Sequence, residues 1–145
     1  MWYSKRFSEL STNELFEILY LRTKVFVVDQ KRVYQEVDEH DPEAIHVFDL
    51  EDSQIVAYAR VFKQNEKVTF GRVVTNPDYR GQGLGNELMQ HVFTTIQKDF
   101  PKKEVEIEAQ VQVEGFYQKF HFQTQGAPFL FNHTPHLKMT HEMIG

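Results

Sequence analysis

Three glycines at alternate positions, in Arg80-Gly81-Gln82-Gly83-Leu84-Gly85, are the residues of this chain best suited to hold a ligand. Glycines let the backbone approach closely, and a helix starting behind them offers unpaired amides and a positive dipole end to an anion, phosphate above all. Two common phosphate loops fail on spacing. A nucleotide-hydrolase loop needs Lys then Ser or Thr after its last glycine, where Asn86-Glu87 stand; a G-x-G-x-x-G dinucleotide fingerprint would need glycine where Asn86 is. Taken alone, the six residues are equally a turn that merely starts a helix.

Other groups could move protons. Glu104, Glu106 and Glu108 alternate along one apparent strand, and Tyr117 sits among Phe116 and Phe120. Residues 29–52 hold nine acidic and two basic groups, including Glu36, Asp38, Glu39, Asp41 and Glu43, with His40 and His46 beside them. Residues 53–98 invert the balance, with six basic and three acidic groups. With no cysteine in the chain, thiolate nucleophiles, disulfides and cysteine-based zinc sites are excluded together. His133 and His136 are spaced like a metal pair, but Pro135 intervenes and no acidic ligand is adjacent, so no metal site is expected.

The elements that must position these groups read as an α/β (α+β) order. Trp2 to Phe7 reads as a strand, and Ser11 with Glu14 as a capping box opening a helix over 12–28. Asp29 to Glu43 has no period and reads as a loop. Ala44–Leu50, Ile55–Phe62 and Lys67–Val74 read as an antiparallel meander whose second strand is apolar on both faces, so helices must cover both sides of the sheet. Leu84, Leu88, Val92 and Ile96 mark a helix stopping before Pro101, and Glu104 to Val111 alternates as a strand parallel to the one at 67–74. A short helix over Val113 to Phe120 and a C-terminal hairpin, with Leu137–Met143 as its last strand, complete the order.

Length and charge bound the function. A chain of 145 residues with 16 basic and 21 acidic groups, net −5, reads as one domain, 1–145, with no basic stripe for nucleic acid. No apolar run approaches a membrane span, and a cytoplasmic protein is the expectation.

The run from Gly71 to Gly85, with Arg80, Gly83 and Gly85 filling an R/Q-x-x-G-x-G/A pattern, resembles the signature of the GNAT superfamily of acetyl-CoA-dependent N-acetyltransferases. Phe116-Tyr117-Gln118-Lys119-Phe120-His121-Phe122 resembles its second signature, F-Y-x-x-x-G-F. Tyr20 to Gln30, Tyr34 to Asp38, Ala57-Tyr58-Ala59-Arg60, Pro135-His136 and Met139 resemble the ElaA-like branch. The resemblance implies a mixed sheet splayed open at its centre, with acetyl-CoA as cosubstrate. The backbone of Val73, Val74 and Thr75 would pair with its pantetheine arm and polarise the thioester carbonyl. The amides of Arg80, Gly81, Gln82, Gly83, Leu84 and Gly85 would hold its pyrophosphate. It also implies Tyr117 as proton donor to the leaving thiolate, a glutamate base at Glu108, His46 at a position the branch fills with histidine, and a homodimer through the C-terminal strands.

Energies constrain these roles. Deprotonating a lysine-like amine of pKa ~10.4 at pH 7 costs roughly 4–5 kcal/mol, so a base or a pKa-lowering pocket is required. Full proton transfer from a tyrosine (~10) to a thiolate (~8.5) is uphill by about 2 kcal/mol, favouring concerted transfer. Absence of cysteine argues for direct attack by the amine with no covalent enzyme intermediate. The acidic segment, through Glu36 and Asp38, is expected to favour a cationic acceptor. Three departures stand out: His121 replaces the signature glycine, Gln110 and Gln112 stand near a usual asparagine, and Arg32 replaces a cysteine common in the branch. A non-catalytic acyl-CoA-binding module is the competing reading.

Overall fold

The computed structural model describes residues 1–144 and contains one seven-stranded sheet. The strands are β1 (Trp2–Arg6), β2 (Ile45–Glu51), β3 (Gln54–Gln64), β4 (Lys67–Thr75), β5 (Val105–Gln110), β6 (Gln123–Phe131) and β7 (Thr134–His141). They lie in the order β1-β2-β3-β4-β5-β7-β6. β1 pairs antiparallel with β2, and β2, β3 and β4 form an antiparallel meander through turns at Asp52-Ser53 and at Asn65, all three residues left-handed, with φ of 50°, 64° and 58°.

Every residue of β3 from Ile55 to Phe62 is buried, as its two-faced apolarity requires. One face packs on α2 (Leu84–Asp99), where Leu88, Met89, Val92 and Ile96 meet Val47, Val56, Ala59 and Val61. The other packs on α1 (Thr12–Arg22), where Ile18 and Leu21 meet Phe48, Ile55 and Tyr58. The expected capping box is present: Ser11 Oγ accepts from the Glu14 amide at 3.0 Å, and Glu14 accepts from the Ser11 amide at 2.8 Å.

The helix expected over 12–28 changes character. After Arg22 it continues as a π-helix over Thr23–Asp29, where the Gln30 amide reaches back five residues to the Val25 carbonyl at 3.2 Å. A regular helix would carry the stripe from Leu21 to Val25 and Val28. Here the buried residue is Phe26, five positions on, and Val28 is 63% exposed.

The centre of the sheet opens. β4 and β5 run parallel but meet only at Val68↔Val105, whereas β5 pairs with β7 along its whole length. Beyond Val68 the outer edge of β4 has no strand partner among the described residues. The last strand starts at Thr134, three residues before its expected start, because Thr134 and Pro135 already pair with Phe131 and Leu130 across a tight turn at Asn132-His133.

Candidate active site

The gap between β4 and β5 is a cavity of about 610 Å³. Val73, Val74, Thr75, Gly85, Glu108 and Tyr117 all line it. β4 is bulged there: Tyr58 pairs with Val74 but Arg60 pairs with Gly71, so Arg72 and Val73 face one residue of β3. Arg72 takes the left-handed conformation at φ 52°, although glycine stands next to it. Its guanidinium explains this, with Nε 2.9 Å from Glu36 Oε2 and Nη2 donating to the Glu36 carbonyl at 2.8 Å. The backbone strain, ~1–2 kcal/mol, is offset by charge-assisted contacts of comparable size.

Two of the three glycines in the loop use the conformational freedom of their type. Gly81 and Gly83 are left-handed at φ 79° and 71°, and Gly83 is the N-cap of α2 without a side-chain cap, leaving the first-turn amides of a 16-residue helix unpartnered. A Cβ at either glycine would meet nothing within 4 Å, so their need is conformational, whereas a Cβ at Gly85 would touch Phe116 at 3.4 Å. Arg80, Gly81, Gln82 and Gly83 lie exposed before the helix and Leu84 is buried beneath it. None of these five lines the cavity.

Tyr117 lies in the short helix α3 (Glu114–Gln118), its ring packed 5.1 to 6.0 Å from Phe116, Phe70 and Phe122. Burial alone pushes its hydroxyl well above the usual phenol range. His121 ends the turn left-handed at φ 72°, as the replaced glycine would. The Phe122 amide then donates back to the Tyr117 carbonyl at 3.3 Å. On the facing strand Lys67 sits 3.0 Å from Glu106 and 3.8 Å from Glu104. Glu108 is left as the member of that carboxylate row with no ion pair among the described residues.

The acidic segment is not an acidic wall. Arg22 of α1 donates to Glu36 at 2.9 Å and grips Asp41 with both Nη atoms at 2.7 and 3.1 Å. Arg60 of β3 donates to Asp38 at 2.6 and 3.0 Å and to Asp41 at 3.0 Å. With Arg72, three guanidiniums face three carboxylates in a nearly dry cluster. The Arg22 guanidinium holds Asp41 down, at about 2. Glu36 is buried in this cluster, and Asp38 lines the cavity but is ion-paired to Arg60 and Arg72, so neither presents a free carboxylate there.

His46 is buried too, away from the cavity. Its Nε2 lies 3.0 Å from the Asp41 carbonyl, which can only accept, so Nε2 carries the proton and Nδ1 accepts from the Tyr58 hydroxyl at 2.6 Å. Burial lowers its pKa and keeps it neutral. Gln110 and Gln112 line the cavity, and Gln110 donates to Gln30 Oε1 at 3.3 Å. Arg72, Tyr34 and His136 also line it without having been singled out as site residues. Only the unexplained density of opposite charges around 22–41 and 60–72 signalled the ion cluster.

Known proteins decide what this architecture belongs to. Residues 9–143 match the family described as acetyltransferase (GNAT) domain. The chain belongs to the GNAT acetyltransferase family. It is 34% identical to Escherichia coli protein ElaA over 99% of this chain and 97% of that protein. The ElaA crystal structure superposes with a TM-score of 0.92, covering 98% and 99% of the two chains at 35% identity. An acyl-CoA N-acyltransferase from Pseudomonas aeruginosa gives a TM-score of 0.91 at 34% identity, covering 97% of both chains. A GNAT acetyltransferase from Elizabethkingia anophelis, solved with acetyl-CoA bound, shares the fold at 14% identity, with a TM-score of 0.65 over 98% and 97% of the chains. The open sheet is thus the GNAT fold, and the chain is a GNAT-type acyl-CoA N-acyltransferase of the ElaA-like branch. No helix among the described residues is long and apolar enough to cross a membrane.

Proposed function

We propose that this GNAT enzyme transfers acetyl from acetyl-CoA to a primary amine by direct attack, with Glu108 taking the amine proton and Tyr117 protonating the leaving thiolate. The observation that carries this reading is the cavity itself, which joins the unpaired edge of β4, the free carboxylate of Glu108 and the Tyr117 hydroxyl in one space. Its volume suits a small acceptor beside an extended arm.

The chain's own residues divide the work. Backbone groups of Val73, Val74 and Thr75 hydrogen-bond the pantetheine arm as an added strand, and an amide among them stabilises the developing oxyanion. Arg80, Gly81, Gln82, Gly83, Leu84 and Gly85 hold the pyrophosphate with backbone amides and the start of α2. The amine is the cationic part of the acceptor, and it meets its anion at Glu108 because Glu36 and Asp38 are already neutralised. Burial raises Tyr117, so a free phenolate is disfavoured still further and the proton must move as the carbon–sulfur bond breaks.

Thiol release from acetyl-CoA across a panel of polyamines, lysine peptides, amino sugars and arylamines tests the reading. Tyr117→Phe is expected to lower kcat about 10²-fold or more at unchanged KM for acetyl-CoA, and Glu108→Gln to lower kcat similarly. Unchanged turnover in either variant would refute that residue's role.

A further inference from the structure

Three arginines line the cavity, and they are not equivalent. Arg60 is held by Asp38 and Asp41, and Arg72 by Glu36 and Asp38. Arg32 makes no ion pair among the described residues. Its guanidinium lies 4.4 Å from the centre of the Tyr34 ring, and its one side-chain hydrogen bond among the described residues is a long one, Nη2 to the Phe131 carbonyl at 3.4 Å. A guanidinium carries five donors in a planar fork suited to a carboxylate. Arg32 therefore stands at the cavity wall charged, oriented by an aromatic shelf and largely unused.

The lining carboxylates show the converse. Asp38 is consumed by Arg60 and Arg72, and Glu39 is an exposed rim residue whose side chain is 85% accessible. Glu108 is the free carboxylate on the strand wall. The hydrogen bond between Gln30 and Gln110 brings the two walls together. Arg32 lies two residues beyond one end of that bridge, and Glu108 two residues before the other, on the same face of β5 as Gln110. The neutral ion cluster behind contributes no net charge to either side. The cavity is dipolar, with a free cation on the loop wall and a free anion on the strand wall.

We propose that the acceptor is zwitterionic: a primary amine that faces Glu108 and a carboxylate on the same molecule held by Arg32. This rests on the N-acetyltransfer reading and names the acceptor class that reading leaves open. A small amino acid, or the terminal residue of a peptide acetylated through its side-chain amine, has this chemistry. A polyamine does not, because it brings a second cation to Arg32.

The test is calorimetric titration of the full chain. CoA is titrated first, then ω-amino acids from β-alanine to 6-aminohexanoate and alkylamines of the same chain lengths are each titrated into the CoA-saturated protein. At least one amino acid is expected to bind ten times or more tighter than its matched alkylamine, and Arg32→Gln to abolish that ratio. The variant's CoA affinity reports that it is folded. Failure of CoA to bind the unmodified chain overturns the acyl-CoA reading and this proposal with it. CoA binding with no preference for amino acids, or a preference that survives Arg32→Gln, overturns the proposal alone. A variant that changes only the discrimination between succinyl-CoA and acetyl-CoA also overturns it, by assigning Arg32 to the acyl donor.

Discussion

The two sides of the candidate site, the glycine loop with the β4 edge and the ion cluster under the 30–41 loop, are built from different material. On the side proposed for the cofactor, the working parts are backbone: two left-handed glycines, the uncapped start of α2 and the open edge of β4. On the loop side they are side chains: Arg22, Arg60 and Arg72 interlocked with Glu36, Asp38 and Asp41. A glycine turn depends first on which residues can adopt its conformation. A side-chain site depends on every partner being present, because each removal leaves a charge stranded without water.

The largest break in this contrast is expected from Arg22→Ala. Arg22 is fully buried, and its loss leaves Glu36 and Asp41 short of their main partner, so urea unfolding should show about 3–5 kcal/mol lost. A loss below 1 kcal/mol would show the cluster to be hydrated and loosely held.

Next comes a pair of glycines. Gly83→Ala forces a left-handed alanine at ~1–2 kcal/mol, and is expected to weaken acetyl-CoA binding about tenfold. Gly85→Ala, whose Cβ would make ordinary contact with Phe116 at 3.4 Å, should stay within about twofold. Equal effects at the two positions would mean that crowding, not conformation, governs the loop.

The smallest effect is a pH step. His46 is held neutral, with a pKa below its usual 6.5, so the folded state binds fewer protons than the unfolded chain and stability declines as pH falls below that value. Asp41, depressed from 3.8 to about 2, adds a second loss as pH falls through that window. Denaturant midpoints between pH 8 and 3 check both, and His46→Gln should remove the first step while keeping the second.

This difference of material also governs what was legible. The meander, α2, the parallel return to β5 and the glycine loop followed from apolar period and from residue types whose backbone freedom is intrinsic. The π-helix was not legible, since a helical period and a five-residue step from Leu21 to Phe26 differ by a single position. The bulge was hidden more deeply. Gly71 advertises a left-handed residue, yet Arg72 adopts it, because the deciding contacts come from Glu36 and Asp38 on a distant loop. Charge marks Glu36, and resemblance marks His46, for the acceptor. Their partners, Arg22 and Tyr58, are what bury them, and pairing across the fold is not written in local pattern.

The left-handed Arg72 also bears on how such enzymes can be rebuilt. Part of the wall proposed for the cofactor takes its shape from side chains of the 30–41 loop, so that loop is not an interchangeable cassette. A graft that replaces this loop without matching partners for Arg22, Arg60 and Arg72 is expected to deform β4 and, with it, the wall proposed for the cofactor. Transplanting the loop and the three arginines together is the smallest exchange that keeps the strand in shape.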